Sequence, residues 1–282
     1  MIVKSYAKIN LSLKVKGVLE NGYHDLEMIN LPLDLHDVLE IETNPQFQDT
    51  FITCDEVRLM LLRSNLVTKA VDKLREEYQF KQQFLIHIHK EIPFSAGLGG
   101  GSSNAAVTLQ ALNKILKLGA SEEHLAEIGK PLGSDIPFFL NPHPCLVEGI
   151  GEKLTPIKMK APFYCLIVKP TRGLSTKDVY AVCDSFPRVE INTEKVIEGL
   201  ALGDEQMIAD NRGNDLQAAA ISLAPEIQDI LDEMKRLGFV LYGMTGSGSS
   251  CYCLSFNQKK IKEAEKAFQK WDCDVIPCKT ML

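Results

Sequence analysis

Hydrophobic and polar positions alternate strictly over residues 7–15, AKINLSLKV: Ala7, Ile9, Leu11, Leu13 and Val15 are apolar, while Lys8, Asn10, Ser12 and Lys14 are polar. A period of two predicts a strand with one wet face. It also sets Lys8 and Asn10 on the same side, about 7 Å apart. DVLEIET (37–43) and FLIHIHK (84–90) predict two more strands. His87 and His89 alternate with Ile86 and Ile88 there and read as a solvated face. Between these runs the period changes. Leu66, Val67, Ala70, Val71, Leu74 and Tyr78 recur at helical spacing, with Asn65 as N-cap, so 66–78 predicts an amphipathic helix. A second helix is expected to start near Ser102 or Ser103 and stop at Gly119. Ser121, followed by Glu122 and Glu123, opens a third.

The segment PIKMKAPF (156–163) interrupts this patterning and is the expected boundary between an N-terminal domain, 1–157, and a C-terminal one, 158–282. Beyond it, strands are expected at Tyr164–Val168, Val240–Tyr242, Cys251–Phe256 and Cys273–Pro277. Helices are expected near 193–201, 225–237 and 258–270, the last with its lysines on the wet side. Helices and strands mixed without regular βαβ alternation predict an α+β fold in two parts.

Composition narrows the possibilities. The 282 residues are 45% hydrophobic and 24% charged, which excludes disorder, collagen-like repeats and coiled coil. A net charge of −6 argues against a general nucleic-acid binder, which needs a basic face. A nucleotide would have to be held locally, by backbone amides and a few cations. No apolar run reaches the roughly 18 residues of a membrane span, and the opening residues lack a signal peptide's apolar core. The 8 cysteines are scattered. Cys273 and Cys278 lack a second ligand pair at metal spacing. Buried free thiols in a cytoplasmic protein are expected.

The most informative stretch is Pro93-Phe94-Ser95-Ala96-Gly97-Leu98-Gly99-Gly100-Gly101-Ser102-Ser103, between a strand and a helix. Glycines let backbone N–H groups approach a ligand closely, and the following helix offers unpaired N–H groups and a positive dipole end. The loop is thus a candidate phosphate cradle; its alternative is a flexible turn capped by Ser102 or Ser103. It is neither a P-loop, having no GxxxxGK[ST], nor a dinucleotide fingerprint in a βαβ unit. A second glycine loop, Met244-Thr-Gly-Ser-Gly-Ser-Ser250, lies between two expected strands and taken alone reads equally as a hairpin. Asp135, in GSDIPFF, is one carboxylate in an apolar run. It is either a helix N-cap or the base that accepts a proton from a substrate hydroxyl in phosphoryl transfer. Lys8 is the natural partner to hold it ionised.

Ala7-Lys8-Ile9-Asn10-Leu11, the loop Pro93–Ala106 and Thr245-Gly-Ser-Gly248 together resemble the three motifs of the GHMP small-molecule kinases. Further features are similar to the branch acting on a cytidyl diphosphate alcohol in non-mevalonate isoprenoid (terpenoid) biosynthesis. These are Gly22-Tyr23-His24, Gly133–Phe139, Glu148-Gly-Ile-Gly-Glu152, Ser175-Thr176 with Tyr180, Asn214-Asp-Leu216 and Pro225-Glu-Ile227. The resemblance spans essentially the whole chain. It implies a two-domain α+β GHMP kinase fold with the active site in the interdomain cleft. It also implies an ATP-dependent phosphotransferase using ATP with Mg²⁺.

The resemblance implies Asp135 as general base and Lys8 as its electrostatic partner. Residues 93–103 would hold the ATP phosphates, Ser102 or Ser103 would stand near Mg²⁺, and Asn65 and Leu66 near the adenine. Asn10 would position the reacting end of the substrate; Tyr23, His24, Ile150, Thr176 and Tyr180 would line the cytosine pocket. Without the resemblance, Tyr23 and Tyr180 read as ordinary half-buried aromatics and His24 as a turn histidine. No nucleic acid, membrane or obligate protein partner is expected. Three departures bear on pocket shape, not on Lys8 or Asp135. Tyr6 stands where a proline is usual, Asn141-Pro-His-Pro144 replaces a glycine-rich stretch, and Leu31-Pro32 replaces a polar pair. The alternatives are another GHMP kinase with a different alcohol and a nucleotide-binding paralogue without turnover.

Overall fold

The computed structural model describes residues 1–20, 22–43, 46, 48–55 and 65–282. It divides into two compact units. The first comprises Met1–Ala7, Leu35–Ile92 and Gly99–Pro142; the second comprises Lys8–Asp34, Pro93–Leu98 and His143–Leu282. Strands β1 (Ile2–Val18) and β2 (His24–Thr43) each supply residues to both.

In the first unit, β2 from Val38 onward pairs antiparallel with β4 (Phe84–His89), and β3 (Phe51–Cys54) runs parallel to β4 on its other edge. Phe84, Ile86 and Ile88 turn inward and are fully buried. Helix α1 (Leu66–Tyr78) buries Val67, Ala70, Val71 and Leu74 and packs on α2 (Gly100–Leu116). Asn65 caps α1 by accepting from the Val67 N–H, as its sequence position predicts. Two short helices, α3 (Glu122–Gly129) and α4 (Ile136–Leu140), pack on the same unit. Asp37, fully buried, accepts from the backbone N–H of Glu91 at 2.9 Å and of Ile92 at 2.8 Å and pairs with Lys90. One carboxylate thereby fixes the exit of β4 toward the glycine loop.

In the second unit, the start of β2 pairs with β5 (Cys145–Gly149), which turns into β6 (Lys153–Pro156). A separate antiparallel sheet has the order β10–β7–β9–β8, built from β7 (Tyr164–Pro170), β8 (Leu241–Met244), β9 (Cys251–Ser255) and β10 (Cys273–Lys279). The helices of this unit are α5 (Thr176–Cys183), α6 (Thr193–Leu202), α7 (Glu205–Asn211), α8 (Gln217–Leu223), α9 (Glu226–Arg236) and α10 (Gln258–Phe268). Helices α9 and α10 are amphipathic, burying Ile227, Ile230, Leu231 and Met234, and Ile261, Ala264 and Phe268.

Two expectations are corrected. The even positions of β1 are not wet: Lys8, Asn10 and Ser12 are 4%, 1% and 1% exposed. Lys8 and Asn10 use their polarity in buried hydrogen bonds rather than contact with water, whereas the buried Ser12 hydroxyl has no partner among the described residues. Helix α2 begins at Gly100, ahead of Ser102, and closes at Lys117, not Gly119. Its start is set by Gly99 in the left-handed region. Its end is set by Asn113, whose side-chain amide brackets Ala120 from both sides of the peptide, accepting at 3.0 Å and donating at 2.9 Å. Of the unusual residues, Leu31 is fully buried and the Pro32 carbonyl accepts from the Met281 N–H at 2.8 Å.

Six of the eight cysteines are buried. Burial pushes the Cys145 thiol up to about 11 and those of Cys251 and Cys253 higher still. The native protein is therefore expected to resist iodoacetamide at these three positions at pH 8 and to label there only on unfolding. Mass spectrometry of labelled peptides checks this; rapid native labelling of Cys145 would contradict it.

Among the described residues, no helix is long and apolar enough to cross a membrane.

Candidate active site

The second unit brings parts of all three motifs together. On β1, Lys8 Nζ donates to Asn10 Oδ1 at 2.6 Å, and Asn10 Nδ2 donates to Asn30 Oδ1 on β2, also at 2.6 Å. The Asn10 backbone N–H donates to Thr245 Oγ1 at 2.9 Å, and the Thr245 hydroxyl donates onward to the Gly97 carbonyl at 3.4 Å. The Lys8 N–H donates to the Leu98 carbonyl at 3.0 Å. A Cβ on Gly97 would lie 2.5 Å from the Thr245 carbonyl and 3.1 Å from that of Gly248, so the two glycine loops touch backbone to backbone. The second loop is therefore more than a hairpin turn. Asn214 Nδ2 donates to the carbonyls of Met244 and Gly246, at 3.0 and 2.9 Å, and holds that loop from beneath.

The first glycine loop has an alternating backbone. Ser95, Gly97 and Gly99 all have positive φ (52°, 73° and 73°), while Ala96 and Leu98 between them are buried. Repeated left-handed residues turn successive N–H groups toward one side, the geometry that binds anions. In the first unit, Gly99 is the N-cap of α2 and no side chain caps that helix. Its first N–H groups lack intrahelical partners and are presented at the positive end of the dipole. Neither Ser102 nor Ser103 caps the helix. Ser103 is buried with its hydroxyl bonded to Ser5 at 2.8 Å. Ser102 is half-buried, and a Cβ on Gly133 would lie 3.2 Å from its hydroxyl. The Gly133-Ser-Asp135 turn thus runs beside the helix start. A Cβ on Gly101 would meet Leu66 at 3.5 Å, which brings α1 to the same place. Asp135 occupies the N-cap position of α4, yet its side chain makes no capping hydrogen bond.

The predicted cytosine residues gather in the second unit. The rings of His24 and Tyr180 lie 4.8 Å apart, tilted by 37°. Thr176 and Tyr180 are one helical turn apart on α5 and share a face. The Thr176 hydroxyl lies 2.9 Å from that of Ser247 in the second glycine loop. This face of α5 therefore links the aromatic pair to the loops. Beyond it stand Cys183 and Asp184, with Asp184 3.5 Å from His24. Partial burial alone would raise the Asp184 carboxyl, but hydrogen bonds from His24 and Arg188 hold it below the ordinary carboxylate range. Ile150 follows β5, whose last residue, Gly149, pairs with Leu26 near the start of β2. Tyr23 is 63% exposed.

Sequence reasoning missed Asn30, and it placed Ser247 in the third motif without giving it a partner. Asn30 is a polar residue in the apolar run MINLPL, and that anomaly was its only signal. It is fully buried, and its Nδ2 lacks a hydrogen-bond partner among the described residues.

Two family models match the sequence: GHMP kinases N terminal domain over residues 65–142 and GHMP kinases C terminal over 196–272. The chain is 35% identical over 283 aligned residues, covering 100% of both chains, to the 4-diphosphocytidyl-2-C-methyl-D-erythritol kinase of Clostridium beijerinckii. The chain belongs to the GHMP kinase family. It is accordingly an ATP-dependent small-molecule kinase. It is also 36% identical to the enzyme of the same name from Thermoanaerobacter pseudethanolicus, over 93% of this chain and 90% of that one. A crystal structure of 4-(cytidine 5'-diphospho)-2C-methyl-D-erythritol kinase superposes with a TM-score of 0.83 at 29% identity, covering 99% of each chain. Homoserine kinase from Cytophaga hutchinsonii, at 17% identity and TM-score 0.74 over 100% of this kinase and 95% of its own chain, shares the fold.

Proposed function

We propose that this kinase transfers the γ-phosphoryl group of ATP to the 2-hydroxyl of 4-diphosphocytidyl-2-C-methyl-D-erythritol, the step its relatives' name implies in the non-mevalonate isoprenoid pathway. The observation that carries the reading is the His24–Tyr180 ring pair on the same compact unit as Pro93–Leu98 and the second glycine loop, joined to the latter through Thr176 and Ser247. A pyrimidine stacks on such rings without needing a basic groove, and a histidine can donate or accept at its edge. Tyr23 and Ile150 complete the wall of that pocket, and Asn10 orients the alcohol.

Asp135 takes the proton of the attacking hydroxyl, and Lys8 stabilises the resulting charge. Both residue types suit phosphoryl transfer, in which positioning and electrostatics supply most of the rate. Residues 93–103 hold the triphosphate, with Asn65 and Leu66 against the adenine. Mg²⁺ bound with ATP would neutralise phosphate charge, and of the two serines Ser102 would be the one to contact it, because Ser103 is already bonded to Ser5.

An ADP-release assay tests the substrate. ADP formation is expected to depend on the cytidyl diphosphate alcohol; equal or faster release with mevalonate or homoserine would overturn the reading. His24→Ala and Tyr180→Ala are expected to raise KM for the cytidyl substrate roughly five- to hundredfold, from stacking worth about 1–3 kcal/mol, with KM for ATP little changed. An unaltered substrate KM would move the pocket elsewhere.

A further inference from the structure

On the first unit, three side chains that the kinase reaction does not use converge on one point. His87 and His89 are two apart on β4 and project from the same face of the sheet, opposite the buried Ile86 and Ile88. Asp55 stands immediately after β3, and the parallel register brings it alongside, with Thr53 opposite His87. Asp55 Oδ1 lies 2.9 Å from His87 Nε2, and Asp55 Oδ2 lies 3.2 Å from His89 Nδ1. One ligand atom from each residue falls within 4.8 Å of the others. The edges of a tetrahedron around an ion with bonds of about 2.0–2.1 Å are roughly 3.3 Å, so the contacts to Asp55 already approximate such a shell.

The remaining ring nitrogens are also occupied. His87 Nδ1 lies 2.7 Å from Thr53 Oγ1, and His89 Nε2 lies 3.4 Å from Glu40 Oε1. If each of these nitrogens carries its N–H toward that oxygen, both imidazoles turn a lone pair toward the Asp55 carboxylate. Three acceptor atoms then face one another and a bound cation satisfies them; without one, ring N–H groups turned toward Asp55 do so. A ring nitrogen held by a hydroxyl or carboxylate, with the other left to bind, is the usual outer-shell arrangement of metal-ligating histidines.

We propose that His87, His89 and Asp55 bind one divalent transition-metal ion, zinc in the first instance, with water completing the shell. Two imidazoles and a carboxylate suit zinc, cobalt or nickel far better than magnesium, which prefers all-oxygen coordination. The ion would clip the end of β3 to β4 and stabilise the first unit by mass action. His87 and His89 are partly exposed, in keeping with the solvated face their alternation predicts; the proposed third ligand, 32 residues before His87, has no counterpart in that local pattern.

The test is titration of the metal-stripped kinase with ZnCl₂ against a chromophoric chelator, and with CoCl₂ followed by absorption. One equivalent per chain is expected, with a rise in Tm on adding zinc and a cobalt spectrum of nitrogen and oxygen ligands. His87→Ala/His89→Ala should lose the site, and Glu40→Gln should weaken it roughly tenfold. Should the double alanine variant fail to fold, His87→Gln and Asp55→Asn serve in its place. Absence of stoichiometric binding overturns the proposal. So does binding that survives in the histidine variants with the charge-transfer bands of cobalt–thiolate, which assigns the metal to cysteines.

Discussion

Replacing Asp135 by asparagine is expected to lower kcat by about 10²–10⁴, the usual contribution of a general base, while ATP affinity and thermal stability stay close to those of the parent. The substitution separates the two meanings the residue has in sequence. Asparagine caps a helix as well as aspartate does, so a purely capping Asp135 would tolerate it in rate as well as in stability. An amide cannot accept the hydroxyl proton, so a base would not. The side chain makes no capping hydrogen bond at the start of α4, which favours the second outcome. Coupled assay of turnover, calorimetry with ATP and a melting curve check the three parts. A variant that retains substantial rate removes Asp135 from the chemistry.

Gly97→Ala should have the largest structural effect of any single methyl addition in the loops. The residue sits at φ 73°, where an L side chain is strained by about 1–3 kcal/mol. The added carbon would also lie 2.5 Å from a backbone carbonyl, which cannot swing aside as a flexible side chain would. Relief requires the two glycine loops to separate. That would disturb the Thr245 bonds to Asn10 and Gly97 that order the Lys8–Asn10–Asn30 chain. The expected result is a lower melting temperature together with a KM for ATP raised tenfold or more. Gly17, where an added Cβ meets nothing within 4 Å, provides the control: its alanine variant should behave like the parent. Equal behaviour of the two variants would refute the loop contact.

Elements with strong periodicity were legible in the sequence. Helix α1, its Asn65 cap and the amphipathic helices α9 and α10 follow from apolar spacing and capping residues. The short helices α5, α7 and α8 were not found, since seven or eight residues give too few turns for a period to emerge. The strand β3 was missed for the same reason, having four residues. Motif order singled out the candidate site residues, but their hydrogen-bond partners were not legible. Asn10 meets Thr245 across 235 positions of sequence, and no local pattern encodes that distance. The wet-face reading of β1 failed because alternation reports which side chains are polar, whereas burial depends on what the rest of the chain lays over them.

That buried polar row alters what can be inferred from variation in this strand. In a mutational library, hydropathy would rank Lys8, Asn10 and Ser12 as permissive, yet they should be as intolerant as Ile9 and Leu11 between them. Polar-for-polar exchanges at Lys8 and Asn10 would fail through orphaned donors and acceptors, not through lost apolar contact. A tolerance profile along β1 would accordingly be flat, where an ordinary surface strand gives a sawtooth.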